Sequence, residues 1–391
     1  MLSFLSSFAV LVYVNALTIP HGEYHGKRSV SPLKIDFTVS KQQDETIAQL
    51  KAKASALMAH YAPDVFQKRA IDTPIVNYKD VSYLIDFQLG DNQQQILAIL
   101  DTGSSDLWVN GPEIDKPEGG TYDHSQSSSS KMLDQEFFIS YLDKSYASGE
   151  YYTDQLAING EKVLDDFQFA VVNKSQNNSQ GVFGIADKNQ LATNSTYDNL
   201  PWALQKAGVT PKASYSLFLG SREAKKGSIV FGGIDTEKYE GELTKYPVEG
   251  LRGLALNLKS AEVAGNTHDL DIEILLDSGT SLNLWPKEIV DAIGKELKGS
   301  EMQGYYFVDC TQPEDKYVSF DFGQNKIKVS YQDLVWKSDG LCLLGVKPSF
   351  NNTHIFGDVF LRSAYVYYDL SEHEISIAQA KYTNSSNIIE A

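Results

Sequence analysis

Two short runs of the chain place a carboxylate, a hydroxyl and a glycine in the same order. Asp101-Thr102-Gly103-Ser104-Ser105 follows the apolar pair Ile99-Leu100, and Asp277-Ser278-Gly279-Thr280-Ser281 follows Leu275-Leu276. A carboxylate that closes a buried apolar run is costly to keep for packing alone. Two copies 176 residues apart suggest two halves, each bringing one aspartate to a shared centre. If the carboxyls meet, like-charge repulsion keeps one protonated while the other ionises, so one residue type supplies both an acid and a base. Such a pair can activate a water molecule. A single strand-end aspartate is equally well a turn residue; the matched pair is what argues for chemistry.

The elements that must position these residues read as mostly β. Tyr and Phe are plentiful (22 and 18), and short alternating segments dominate. Val81 to Leu89 is one of them, with Tyr83, Ile85, Phe87 and Leu89 on one face and Leu84 interrupting the alternation. Helices are few; Pro286 to Gly299 is the clearest, with Ile289, Ile293 and Leu297 in register and glycine as the stop. The repetition extends past the aspartates. Gly184 closes Gly181-Val182-Phe183-Gly184, 83 residues after Asp101, and Gly357 closes Ile355-Phe356-Gly357, 80 residues after Asp277. A glycine there lets another backbone approach closely, as a loop beneath a packed site requires. The halves divide near Thr244 to Gly253, giving lobes of 70–245 and 246–391, each long enough for its own core.

Met1 to Ala16 is almost entirely apolar or small and ends in Val14-Asn15-Ala16, which predicts a secretory signal peptide over 1–16. The last residues, Lys381 to Ala391, are polar apart from Ile388-Ile389, so no lipid-anchor tail or membrane anchor is expected. The dibasic pairs Lys27-Arg28 and Lys68-Arg69 follow the signal. Before the second, Ile47, Leu50, Ala54, Leu57 and Tyr61 fall at helical spacing. Residues 17–69 carry eight basic and five acidic side chains, a net +3, whereas the remainder carries 26 and 46, a net −20. A basic segment on an acidic body is held partly by charge and loosens when carboxylates protonate. It reads as an inhibitory propeptide over 17–69, released at Lys68-Arg69 by a dibasic-specific processing protease. The negative body argues against nucleic acid as a partner. Sequons at Asn173, Asn177, Asn194, Asn351 and Asn384 fit an exported glycoprotein. The two cysteines, Cys310 and Cys342, are most simply one disulfide in an oxidising compartment. The seven histidines are scattered, with no metal-ligand spacing and no phosphate loop, so neither a metal nor a cofactor is expected.

From about Asp72 onward the chain resembles the pepsin-like aspartic proteases, and most of all the secreted yeast candidapepsins. The resemblance rests on Leu100-Asp101-Thr102-Gly103-Ser104-Ser105-Asp106-Leu107-Trp108-Val109, Gly120-Thr121-Tyr122-Asp123, Gly232-Gly233-Ile234-Asp235, Leu276 to Ser281, and Ile355-Phe356-Gly357-Asp358-Val359-Phe360-Leu361-Arg362. It implies an all-β bilobal fold with the cleft between two related barrel-like lobes, and a peptidase domain over about 83–378. It implies a secreted, extracellular, monomeric endopeptidase that cleaves protein or peptide substrates at acid pH. Asp101 and Asp277 would share a bridging water; Thr102 and Ser278 would interlock the two loops. Gly103 and Gly279 would leave room for substrate, and Ser104 and Thr280 would bond the outer carboxylate oxygens. The Cys310–Cys342 pair also matches the family.

The family closes its cleft with a β-hairpin whose tip reads tyrosine, glycine, polar, glycine. Tyr141 aligns with that tyrosine, beside Trp108, with Tyr146 as the second choice, but the two glycines are Leu142 and Lys144. A left-handed tip disfavours both by about 1–2 kcal/mol each, unless Asp143 takes that conformation. The segment from Asn110 to Gly119 lacks the disulfide that candidapepsins carry there, which predicts a more open side to the cleft. Two other classes fit less well. A binding protein on the same scaffold would have no need for the intact pair of aspartates. A glycoside hydrolase using two carboxylates would have no reason to repeat Asp-hydroxyl-Gly symmetrically.

Overall fold

The structure, a computed structural model, describes residues 33–38, 75–78 and 82–391, apart from 116, 143, 177–179, 225, 250–252, 303, 339, 340 and 351. The expected signal peptide, the Lys68-Arg69 site and the helical spacing of 47–61 lie outside those residues. Ser82–Leu89 forms a strand with Tyr83, Ile85, Phe87 and Leu89 buried as one face. Leu84 is also buried, on the other face, against Leu97 and Ile99. The strand is covered on both sides, which is why its alternation is imperfect.

Both halves use one construction. A hairpin, Ser82–Leu89 with Gln94–Asp101 or Ala255–Val263 with Asn266–Leu276, carries the aspartate at or just past the end of its second strand. That second strand pairs in parallel with Gly181–Gly184 in the first half and with Ile355–Phe356 in the second. Each of these pairs antiparallel with the next strand, Leu107–Asn110 or Asn283–Trp285. Those strands in turn run parallel to Glu161–Gln176 or Val346–Pro348. The aspartates therefore close interior strands of an eight-stranded and a seven-stranded sheet. Tight turns set the hairpin registers. Ala264 and Gly265 between the paired Val263 and Asn266, and Asn159 and Gly160 between Ile158 and Glu161, all have positive φ, the twist that two-residue hairpins favour.

A six-stranded sheet joins the halves in the order Leu33–Thr38, Lys226–Phe231, Ser214–Phe218, Ala364–Asp369, Glu374–Ala380, Tyr239–Pro247. Strands from both sides of the expected lobe boundary contribute to it. Its edge strand, Leu33–Thr38, belongs to the segment read as a propeptide and runs antiparallel to Lys226–Phe231. The helix foreseen from Pro286 forms over Lys287–Glu296, with Pro286 as its cap and Ile289, Val290 and Ile293 buried. Two shorter helices, Leu200–Lys206 and Asp358–Leu361, carry too few turns to show a period in sequence. Cys310 and Cys342 are joined, with their Cα atoms 5.2 Å apart. The bridge ties the Leu341–Leu344 strand of a four-stranded sheet to the Cys310 loop.

Candidate active site

The two Asp-hydroxyl-Gly turns meet back to back, and their contacts match residue for residue. The Thr102 hydroxyl donates to the Leu276 carbonyl at 2.8 Å and accepts from the Ser278 backbone N–H at 3.0 Å. Reciprocally, the Ser278 hydroxyl donates to the Leu100 carbonyl at 2.9 Å and accepts from the Thr102 N–H at 3.2 Å. All four bonds span the two halves, and Thr102 and Ser278 are fully buried. In a dry setting each of these groups would be costly to strand, so the lock is cooperative.

The lock places the carboxyls face to face. Asp101 Oδ1 accepts from the Gly103 N–H and Asp277 Oδ1 from the Gly279 N–H, both at 2.8 Å. The outer oxygens accept from hydroxyls: Asp101 Oδ2 from Ser104, and Asp277 Oδ2 from Thr280 at 2.7 Å. The glycines have a more specific task than clearance for a ligand. A Cβ on Gly103 would lie 2.6 Å from Asp277 Oδ1, and one on Gly279 would lie 2.6 Å from the Asp101 carboxyl carbon. Each glycine thus makes room for the other half's carboxylate. Burial and the neighbouring Asp101 push the Asp277 carboxyl well above the usual carboxylate range, and the two side chains are in hydrogen-bonding reach. Two carboxyls this close disfavour ionising together.

The supporting glycines are where the spacing put them. A Cβ on Gly184 would meet the backbone of Asp106 at 2.5 and 2.8 Å and the Ser104 carbonyl at 2.9 Å. One on Gly357 would collide with the Thr280 carbonyl and lie 3.0 Å from that of Leu282. Gly357 is fixed further by donating to Asn283 Oδ1 at 2.8 Å.

Over the first half lies a long hairpin, Lys131–Ser140 with Tyr146–Ile158. Near its tip the Tyr141 hydroxyl accepts from the Trp108 indole N–H at 2.7 Å and is within reach of Ser104. The Ser104 hydroxyl itself donates to Asp101. Burial and the Asp101 charge hold the Tyr141 phenol above its ordinary range, so it stays neutral. The tip closes with the Tyr141 N–H donating to the Ser145 carbonyl and the Lys144 N–H to the Tyr141 carbonyl, both at 3.0 Å. This is a three-residue loop whose last position is left-handed. Lys144 takes that position, with φ of 69°. Leu142 does not need it and stands exposed. Only one of the two replaced glycines therefore carries conformational strain; Asp143 lies outside the described residues.

The segment after Asn110 is closed without a disulfide. Asn110 donates to the Glu118 carbonyl at 3.2 Å, and the Leu97 N–H donates to the Gly119 carbonyl at 2.7 Å. Gly119 and Gly120 both have positive φ.

Sequence reasoning passed over Asp106, although it lies inside the quoted motif. It is fully buried, and three donors converge on it: Tyr151 at 2.7 Å, Tyr197 at 2.8 Å and the Ala192 N–H at 2.7 Å. Burial outweighs these donors and raises its carboxyl above the ordinary value. The partners lie 45 to 91 residues downstream, so no local pattern announces them.

A symmetric two-lobed β scaffold that locks two Asp-hydroxyl-Gly turns together defines an aspartic proteinase. The eukaryotic aspartyl protease family model matches residues 82–380, and the chain belongs to that family, whose members hydrolyse peptide bonds. Secreted aspartic proteases of Candida are among its relatives. It is 38% identical to secreted aspartic protease 6 of Candida albicans over 93% of this chain and 94% of that one. It is 36% identical to candidapepsin-4 of Candida albicans strain WO-1, with the same coverage. Candidapepsin of Candida tropicalis is 34% identical over 98% of this chain and 96% of its own length. The crystal structure of an aspartic proteinase from Irpex lacteus shares the fold, with a TM-score of 0.68 at 19% identity, covering 81% of this chain and 99% of that one. Among the described residues, no helix is long and apolar enough to cross a membrane.

Proposed function

We propose that the chain is made as a zymogen and exported, and that it acts outside the cell as an acid endopeptidase with Asp101 and Asp277 as its catalytic pair. The observation that carries this reading is the pair of facing carboxyls, each backed by the other half's glycine. Asp277 is the acid of the pair, because burial and the adjacent charge favour its protonated form. Asp101 is the base. A water held between them loses a proton to Asp101 as it attacks the peptide carbonyl, and Asp277 donates its proton to the carbonyl oxygen. Ser104 and Thr280 fix the outer oxygens, and the Thr102–Ser278 lock keeps the carboxyls aligned. Tyr141, tethered to Trp108, roofs the site and excludes bulk water.

Acid pH follows from needing one proton on the pair, and from the −20 charge of residues 70–391, whose self-repulsion acid relieves. The zymogen reading draws on the charge contrast between 17–69 and the rest, and on the Leu33–Thr38 strand seated at a sheet edge. Cleavage after Lys68-Arg69 by a dibasic-specific protease releases it. The mature enzyme acts as a monomer on proteins and peptides, with neither metal nor cofactor, and its sequons are open to glycosylation. The test is expression in a host with a dibasic processing protease. The secreted protein should begin at Ala70 and cleave denatured protein at acid pH, and a statine-type mimic should block it. A product still beginning near Leu17, or one inert between about pH 3 and 7, overturns the proposal.

A further inference from the structure

Beside the hairpin, a groove of about 500 Å³ runs between its first strand and the 191–195 segment. One wall is Gln135 and Glu136 of the Lys131–Ser140 strand; the other includes Leu191, Thr193, Asn194 and Ser195. Gln135 reaches across to donate to the Thr193 hydroxyl, which also accepts from the Ser195 N–H at 3.1 Å. The same segment is anchored behind the groove, where Ala192 and Tyr197 bond Asp106. Asp106 in turn holds Tyr151 of the hairpin's second strand. The 191–197 strap therefore braces both strands of the hairpin that carries Tyr141.

Asn194 is an exposed residue of that groove and opens the sequon Asn194-Ser195-Thr196. Its side chain lines the groove directly. Asn173 stands exposed on the Glu161–Gln176 strand and Asn384 on the C-terminal segment. The lining combines amide, carboxylate and hydroxyl groups with the apolar Leu191 and Ala192, the mixture that a sugar ring's hydroxyls and C–H face require. We infer that Asn194 is N-glycosylated and that the first sugar fills this groove, joining the strap to the Lys131–Ser140 strand and restraining the hairpin. This rests on the reading of the chain as an exported protein. In the transfer, the Asn194 amide nitrogen attacks the anomeric carbon of a lipid-diphosphate-linked oligosaccharide. The C–N bond forms, the bond from that carbon to the diphosphate oxygen breaks, the amide proton passes to a carboxylate base of the host's oligosaccharide transferase, and the lipid diphosphate departs with the bonding electron pair.

The test uses the full chain secreted from a eukaryotic host, in active form and as the Asp101→Asn protein. Peptide mapping before and after N-glycosidase treatment reads occupancy at Asn194, and hydrogen exchange reads the amides of 131–140. Occupancy at Asn194, with several-fold faster exchange in 131–140 when the sequon is removed by Asn194→Gln or by Thr196→Ala, is the expected result. The Asn384→Gln control should leave that segment unchanged. An unmodified Asn194 in the secreted protein overturns the inference. So does a modified Asn194 whose loss leaves exchange in 131–140 as it was. Neither readout needs peptidase activity, so failure here is separable from failure of the catalytic reading.

Discussion

The two Asp-hydroxyl-Gly turns are near twins for five residues and part company at the sixth. In the first half that residue is Asp106, a buried carboxylate gathering Tyr151, Tyr197 and the Ala192 amide. In the second half it is Leu282, and the next residue, Asn283, merely ties down Gly357. The difference follows from what each half must support. The first carries the hairpin with Tyr141, and Asp106 anchors both its second strand and the strap beside it. The second half is built to hold its own aspartate. Twin loops place the carboxyls; the residue after them shows which half also builds the roof.

The largest effect should come from breaking the symmetry at its centre. Asp101→Asn is expected to lower peptide hydrolysis by about 10²–10⁴-fold, measured as kcat/KM on a peptide substrate, with the thermal unfolding curve retained. Full activity in this variant would remove Asp101 from the chemistry. Next is Asp106→Leu, which makes the first half resemble the second. Two tyrosine hydroxyls and one backbone N–H lose their acceptor, so stability should fall by about 3 kcal/mol or more in denaturant titration. A neutral outcome would mean the strap and hairpin hold without it.

A pH experiment sharpens the contrast between Asp106, with three donors, and Asp86, to which the Gln95 side chain donates. Burial raises Asp86 to about 8 from an ordinary value of 3.8. A raised carboxyl binds its proton more tightly in the folded state, so its contribution is intact below about pH 4 and is lost as pH climbs toward 8, by up to about 1.4 kcal/mol per unit. Asp86→Asn should therefore melt with the parent at pH 4 and above it at pH 8. Equal melting temperatures across the range would place the Asp86 carboxyl in water. The smallest effect belongs to the tip. Lys144→Gly relieves a left-handed lysine and should slow hydrogen exchange at the hairpin tip, a local gain of about 1 kcal/mol. Faster exchange there would mean the lysine side chain contributes more than its backbone costs.

Much of the site could be read directly. The aspartates, their hydroxyl and glycine neighbours and the glycines at 184 and 357 announce themselves because each belongs to a local phrase repeated at matching distance. The Ser82–Leu89 strand and the Lys287–Glu296 helix are legible because their burial is periodic. Tyr141 is legible from the family pattern, but which replaced glycine bears the strain is not, since Leu142 and Lys144 look alike until the turn is seen. Asp106 was hidden for a different reason: its meaning lies wholly in partners far along the chain.

By itself the sequence determined that two carboxylates would be delivered by twin strand-end turns, because the type and order of neighbouring residues set that local geometry. Only the tertiary structure decided that Gly103 serves Asp277 and Gly279 serves Asp101. Residues 176 apart are brought together by the Thr102–Ser278 lock, and a contact between halves has no period in either half to reveal it.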